Sequence, residues 1–280
     1  VVTDENGCSD TVTVEITEPT IGVEVTEEHS DYTGAGVSCN GQTDGFIDLT
    51  TIGGTELYTY DWTDQDGNAV TANDQGNLEN IGAGTYTAVV TDENGCSDTV
   101  TVEITENEPV AVSEVHSDYA GYGVSCKNET DGFINLTTTG GTQVYTYDWT
   151  DQDGNAVTAN DQGNLENIGA GTYTAVVTDE NGCSDTVTVE ITEPEIGVEV
   201  TEEHSDYTGA GVSCNGETDG FISLTTIGGT ELYTYDWTDQ DGNAVTANDQ
   251  GNLENIGAGT YTAVVTDENG CSDTVTVEIT

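Results

Sequence analysis

The strongest constraint on this chain is that it repeats itself. The segment Val1-Val2-Thr3-Asp4-Glu5-Asn6-Gly7-Cys8 returns at Val89, Val176 and Val264, at spacings of 88, 87 and 88 residues. Such a period is too long for a stacked solenoid unit and suits an autonomous domain. Cutting at the one proline of each unit, Pro19, Pro109 and Pro194, gives repeats at 18–105, 106–192 and 193–280. Residues 1–17 then read as the C-terminal hairpin of a truncated preceding repeat. Repeats one and three differ only at Thr20/Glu195, Gln42/Glu217 and Asp48/Ser223. A spacer copied three times explains such near-identity better than an active site copied three times, so length itself is a candidate function.

Within a repeat the apolar residues keep a period of two. Ile21, Val23 and Val25 alternate with polar residues, Gly45–Thr51 follows, and Leu57–Thr63 places Tyr58, Tyr60 and Trp62 on one face. Short strands are expected at 68–71 and 77–81, then alternations at Tyr86, Ala88, Val90 and at Val100, Val102, Ile104. Asp92-Glu93-Asn94-Gly95 between the last two is a hairpin turn of the Asn-Gly kind. No window has helical periodicity with caps. The pattern predicts an all-β chain: three immunoglobulin-like β-sandwiches as beads on a string, joined by short proline-stiffened linkers. Trp62, Trp149 and Trp237 are expected at the sandwich centres, and Tyr86, Tyr173 and Tyr261 as corner tyrosines tying down a crossing loop.

Charge narrows the partners. One Lys and no Arg stand against 54 Asp and Glu, a formal charge of -53. Nucleic acid and anionic membranes are poor partners for such a surface, and no apolar run approaches the ~20 residues that span a bilayer. The seven cysteines fall into pairs 57 residues apart, Cys39/Cys96, Cys126/Cys183 and Cys214/Cys271. With no Cys-x-x-Cys and no clustered His, the expectation is one disulfide within each repeat, Cys8 pairing with an upstream partner. Disulfides place the chain outside the cytosol.

In order along repeat one stand Ser30-Asp31-Tyr32, Gly36-Val37-Ser38-Cys39-Asn40-Gly41, Asp44-Gly45, Gly53-Gly54, Tyr58-Thr59-Tyr60-Asp61-Trp62, Gly84-Thr85-Tyr86 and Thr91-Asp92-Glu93-Asn94-Gly95-Cys96. This set resembles the SprB-type repeat of very large cell-surface adhesins of Bacteroidota. The resemblance covers all three repeats and the leading fragment. It implies long secreted filaments that serve gliding or attachment. The extreme acidity and the longer Asp64–Gly76 insertion depart from the usual pattern.

Candidate sites are few. Asp64, Asp66 and Asn68 place oxygen-bearing side chains at alternate positions of a turn, repeated at Asp151, Asp153, Asn155 and at Asp239, Asp241, Asn243. Ca2+ prefers such ligands, and an ordinary polar turn uses the same residues. Asn128 and Asn135 open N-linked sequons, and Thr11, Thr99, Thr186 and Thr274 lie in Asp-Thr-apolar triplets that look like the O-glycan acceptors of Bacteroidota surface proteins. His29, His116 and His204 sit in His-Ser-Asp-Tyr, where adjacent residues cannot form a triad; no enzyme activity is expected. The reading that results is a structural, non-catalytic shaft of an extracellular adhesin or filament at the cell surface, partnered by further copies of its own repeat. Two alternatives compete with it: a calcium-dependent module binding surface glycans by avidity, and a self-assembling fibre subunit that donates a strand.

Overall fold

The computed structural model describes residues 1–280, and every regular element in it is a β-strand. At the start, β1 (Val2–Thr3) and β2 (Ser9–Asp10) pair around the turn closed by Asp4 N–H and the Cys8 carbonyl, at 2.9 Å. Residues 11–17 form no strand, and Val12, Val14 and Ile16 are 73 to 93% exposed. Their counterparts Val102 and Ile104 are buried in a complete repeat, whereas the expected leading hairpin pairs only at its tip.

Repeat one holds β3 (Glu24–His29), β4 (Gly45–Ile52), β5 (Thr59–Thr63), β6 (Ala69–Val70), β7 (Leu78–Ile81), β8 (Gly84–Thr91) and β9 (Ser97–Ile104). Two antiparallel sheets result, in the orders β3-β4-β7 and β6-β5-β8-β9. The same seven-strand arrangement recurs over 111–191 and 199–279. The architecture is all-β, a tandem series of immunoglobulin-like sandwiches.

One strand differs from the sequence reading. The alternation Ile21–Val25 suggested a strand there, but the first strand runs Glu24–His29. Ile21 and Gly22 instead lie along the Gly53-Gly54 turn, where Gly54 N–H donates to the Ile21 carbonyl at 2.9 Å. Gly53 has φ +74°, and a Cβ there would stand 2.0 Å from the Gly22 carbonyl oxygen. Only glycine allows that approach.

The two sheets enclose Val37, Ile47, Trp62, Leu78, Ile81, Ala88, Val102 and Ile104, with equivalent sets in the other repeats. Trp62 is 2% exposed, and its indole N–H donates to the Gly76 carbonyl at 2.8 Å, so its one polar atom is satisfied in the core. Tyr86, Tyr173 and Tyr261 are corner tyrosines as expected: each hydroxyl donates at 3.0 Å to the carbonyl four residues back, on Gly82, Gly169 and Gly257. Burial pushes the Tyr86 hydroxyl above its usual pKa, and the Asp64 carboxylate adds to the rise.

The chain divides into two compact units. One comprises residues 1–110 with 140–144 and 179–183; the other comprises 111–139, 145–178 and 184–280. The first is therefore the leading fragment and the repeat-one sandwich together with two loops of repeat two. The second is the remainder of repeat two with repeat three.

Removing the core indole should cost about 3–5 kcal/mol. Trp62→Ala is expected to accelerate hydrogen exchange across 24–104 while leaving exchange across 199–279 unchanged; uniform protection in the variant would show that the indole does not anchor the sandwich.

Candidate functional site: the junctions between repeats

Two loops and one hairpin build each junction. The hairpin is Asp-Glu-Asn-Gly-Cys, seen at 179–183. Asp179 N–H donates to the Cys183 carbonyl at 2.9 Å, while its carboxylate accepts the N–H of Asn181 at 3.0 Å and of Cys183 at 2.8 Å. Its other oxygen accepts Thr142 N–H at 2.8 Å, tying the hairpin to the neighbouring 140–144 loop. Gly182 takes φ +88°, the conformation the Asn-Gly turn needs. Asp179 is buried. Burial raises its pKa, but the N–H donors of Thr142, Cys183 and Asn181 outweigh this and hold it below the usual carboxylate value.

The receiving loop is Ser30–Cys39. Ser30 Oγ donates to the Gly36 carbonyl and accepts Phe46 N–H, and Asp44 accepts Ser38 N–H at 3.0 Å. Gly36 and Val37 N–H groups both reach the Thr105 carbonyl, and Val37 is fully buried. A Cβ on Gly36 would stand 2.7 Å from Ile104 Cγ2, so glycine lets the loop press on the end of β9. Cys39 is thereby held beside the C-terminal end of that strand.

This overturns the expected cysteine pairing. Cys96 immediately precedes the N-terminal end of β9, and the eight residues of that strand span about 26 Å at the usual rise. A disulfide needs Cα atoms within about 7 Å. Cys39 and Cys96 therefore cannot bond, and neither can Cys126 with Cys183 nor Cys214 with Cys271. The bonds are Cys39–Cys183 and Cys126–Cys271, each with Cα atoms 5.6 Å apart and each joining the loop of one repeat to the hairpin of the next. Cys8, Cys96 and Cys214 are free and exposed. The 57-residue spacing hid this, because equal spacing within repeats equally describes a loop and a hairpin that meet across repeats.

Polar contacts surround each bond. Asn181 Nδ2 donates to the Tyr32 carbonyl at 3.0 Å and the Ser38 carbonyl at 3.3 Å, and Thr33 Oγ1 donates to Asn181 Oδ1 at 3.1 Å. Asn269 likewise donates to Tyr119 and Ser125 carbonyls at 3.0 and 3.4 Å. The linkers take part as well: Gly41 N–H donates to Glu106 at 2.7 Å and Asn128 N–H to Glu193 at 2.6 Å. Lys127, the one cation, donates from Nζ to the Glu195 carbonyl.

Other candidate residues lie elsewhere. In the 64–68 turn, Asp64 accepts N–H bonds from Asp66 and Asn68, and the Asn68 amide nitrogen donates to both of its oxygens, at 3.3 and 3.0 Å. Asn68 thus presents its N–H side, not its oxygen, to Asp64; Asp151/Asn155 and Asp239/Asn243 match. The Asn68 amide, then the backbone donors, hold the Asp64 pKa below its usual value. No group of three His, Cys, Asp or Glu side chains has metal-holding geometry. Thr11, Thr99, Thr186, Thr274, Asn128 and Asn135 are all exposed. The aspartate of the Asp-Thr pattern also works structurally, since Asp98 accepts Val25 N–H at 2.9 Å and Thr99 N–H at 2.8 Å, tying β9 to β3. Each His pairs with the glutamate two residues before it, as His29 does with Glu27 at 2.8 Å.

These loops carry the family signature. The SprB repeat model matches three stretches, residues 36–67, 124–154 and 211–242, one in each repeat and each beginning in the cysteine-bearing loop. No curated protein matches the chain in sequence. Among solved structures, the N-terminal eight immunoglobulin domains of Down Syndrome Cell Adhesion Molecule are similar at 14% identity and TM-score 0.32, over 83% of this chain and 33% of that one. A tetra-tandem repeat from the extending region of a large adhesion protein is similar at 18% identity and TM-score 0.31, over 100% and 80%. This chain spans about a third of the length of the first of these.

The depressed carboxylates set a pH window. For Asp92, Thr55 N–H is the main cause of the lowered pKa; for Asp179, donors outweigh burial. A lowered folded pKa gives stability that is complete above the ordinary value of 3.8 and is lost as pH falls through the depressed one. Carbon-detected NMR titration should show both carboxyls with midpoints below 3.8, the hairpin amides shifting with them; midpoints at or above that value would contradict the hydrogen-bond assignment.

Proposed function

We propose that the chain is a load-bearing segment of the shaft of an extracellular adhesin or filament at the bacterial surface. The observation that supports this is the interleaved order of its bonds, Cys39–Cys183 with Cys126–Cys271. Tension entering at Val1 crosses to Cys183 at Cys39, returns through the chain to Cys126, and crosses to Cys271. Only about 105 of 280 residues lie on that path. Extended, they reach roughly 370 Å, against roughly 980 Å for the unbridged chain. A bond within each repeat would leave every linker as the sole covalent connection; a bond between repeats doubles it.

Further support comes from what the repeats share. SprB repeats, disulfides and an acidic surface fit an extracellular setting, and three domains of one fold in tandem fit a spacer. Adhesive specificity then belongs to other parts of the molecule, and further repeats of the same kind are the nearest partners.

Pulling single molecules from their ends tests the reading. With bonds intact, unfolding the middle repeat can release only the 57 residues from Cys126 to Cys183. After reduction the whole repeat of 87 residues is released, so the contour-length step should grow roughly 1.5-fold. Steps of equal length before and after reduction would remove the mechanical role.

A further inference from the structure

The joint between repeats two and three holds a cleft that the shaft reading does not use. It measures about 600 Å³ and takes its lining from Ala120 and Tyr122 of the Cys126 loop and from residues 229–232 and Glu268 of repeat three. Both halves are held in place. Tyr119 and Tyr122 exchange backbone hydrogen bonds at 2.6 and 3.2 Å, Asn269 Nδ2 donates to the Tyr119 carbonyl at 3.0 Å, and the Cys126–Cys271 bond closes the joint. Asp267 accepts Thr230 N–H at 2.8 Å, which ties the 229–232 loop to the hairpin that carries Glu268. Repeats two and three are both whole in this chain, so neither lacks its neighbour at this joint.

Three features point to a ligand. Leu232 holds φ +77° and is 74% exposed, so a strained backbone displays an aliphatic side chain to water. Val144 repeats this in the first joint, with φ +91° and 74% exposure, although a β-branched residue resists that conformation most. Thr230 is 5% exposed, yet its hydroxyl oxygen has no hydrogen-bond partner. Glu231 and Glu268 are exposed and meet no cation: the one Lys, Lys127, donates to the Glu195 carbonyl, and the chain has no Arg.

We infer that this cleft binds an arginine side chain of a partner polypeptide of different sequence. The guanidinium is a flat cation that stacks on Tyr122, and its paired N–H donors fork onto the carboxylate of Glu231 or Glu268, with a further N–H for Thr230 Oγ1. Its apolar stem lies along Leu232. A lysine ammonium has the charge but neither the plane nor the fork. The net charge of -53 draws a cationic partner in and keeps anionic ligands out. A second copy cannot supply the group, because this chain contains no Arg. The inference goes beyond the shaft reading and does not depend on it: a side chain gripped at a joint fixes a neighbour to the flank of the array and leaves adhesive specificity elsewhere.

The first joint supplies a control. The same positions there carry Thr33, Ala35, Gln143, Val144 and Glu180, so the aromatic ring and one carboxylate are missing while the Cys39–Cys183 bond is formed. Ala120→Thr together with Tyr122→Ala gives the repeat-two loop the sequence that Ser30–Cys39 already has, folded and bonded, and leaves the net charge at -53. A loss of binding in that variant comes from the ring and not from folding or charge.

The test is an NMR titration of the full, disulfide-bonded chain with acetyl-Gly-Arg-Gly-amide, its lysine analogue and its citrulline analogue, which keeps the shape of arginine without the charge. The inference expects the arginine peptide to shift the Tyr122 ring and Leu232 methyl signals saturably, the lysine peptide to bind less tightly, and the citrulline peptide to leave them unmoved. The double variant should raise the dissociation constant for the arginine peptide roughly fivefold, and Glu231→Gln, matching Gln143 of the first joint, should raise it as well. Equal binding of the arginine and lysine peptides, or an unchanged constant in the double variant, would reduce the effect to general attraction of cations by an acidic chain and overturn the inference. Equal shifts from the citrulline peptide would overturn it too, as would a neutral disaccharide that moves these signals when the arginine peptide does not.

Discussion

An eight-residue strand governs this molecule. Ser97–Ile104 carries Cys96 at one end and, through the Thr105 carbonyl, holds the Cys39 loop at the other. Because that strand is rigid and longer than any disulfide, the two cysteines of a repeat face opposite ways and must find partners in neighbouring repeats. The interleaved covalent order, the free thiols and the mechanical reading all follow from this separation.

Acidity is the second constraint, and the fold meets it locally. Carboxylates with structural roles are surrounded by N–H donors: Asp179 closes its own hairpin, Asp64 its turn, and Asp98 spans β9 and β3. With a single Lys available, backbone and amide hydrogens take the place that ion pairs fill in ordinary domains. The remaining carboxylates stay in water, while Trp62, Ile47 and Leu78 supply the apolar mass that holds the sheets together.

Much of this was legible in the residues. Alternation at Tyr60–Trp62, at Tyr86–Val90 and at Val100–Ile104 located strands, because one buried face imposes a period of two. The Ala-Gly-Thr-Tyr motif identified the corner tyrosine. The first strand was misplaced because Ile21 and Val23 alternate yet serve the linker, where Gly53-Gly54 receives them. The junction was not legible from spacing. Cysteines 57 apart within a repeat and 144 or 145 apart across repeats are the same cysteines, and only the length of β9 decides between the pairings. In this strand order the hairpin before β9 and the loop before Gly45 lie at opposite ends of the sandwich.

The central claim, that disulfides join repeats and not the interior of one, has a direct test in the chain's single Lys. Cleavage after Lys127 of a chain carrying Cys126→Ser, with Cys8, Cys96, Cys214 and Cys271 also replaced by Ser, yields fragments 1–127 and 128–280, and the only bond able to hold them together is Cys39–Cys183. Resolved in denaturant without reductant, the cleaved protein should run as one species and separate into two fragments only on reduction. Separation without reductant would show that no disulfide joins repeat one to repeat two and contradict the account.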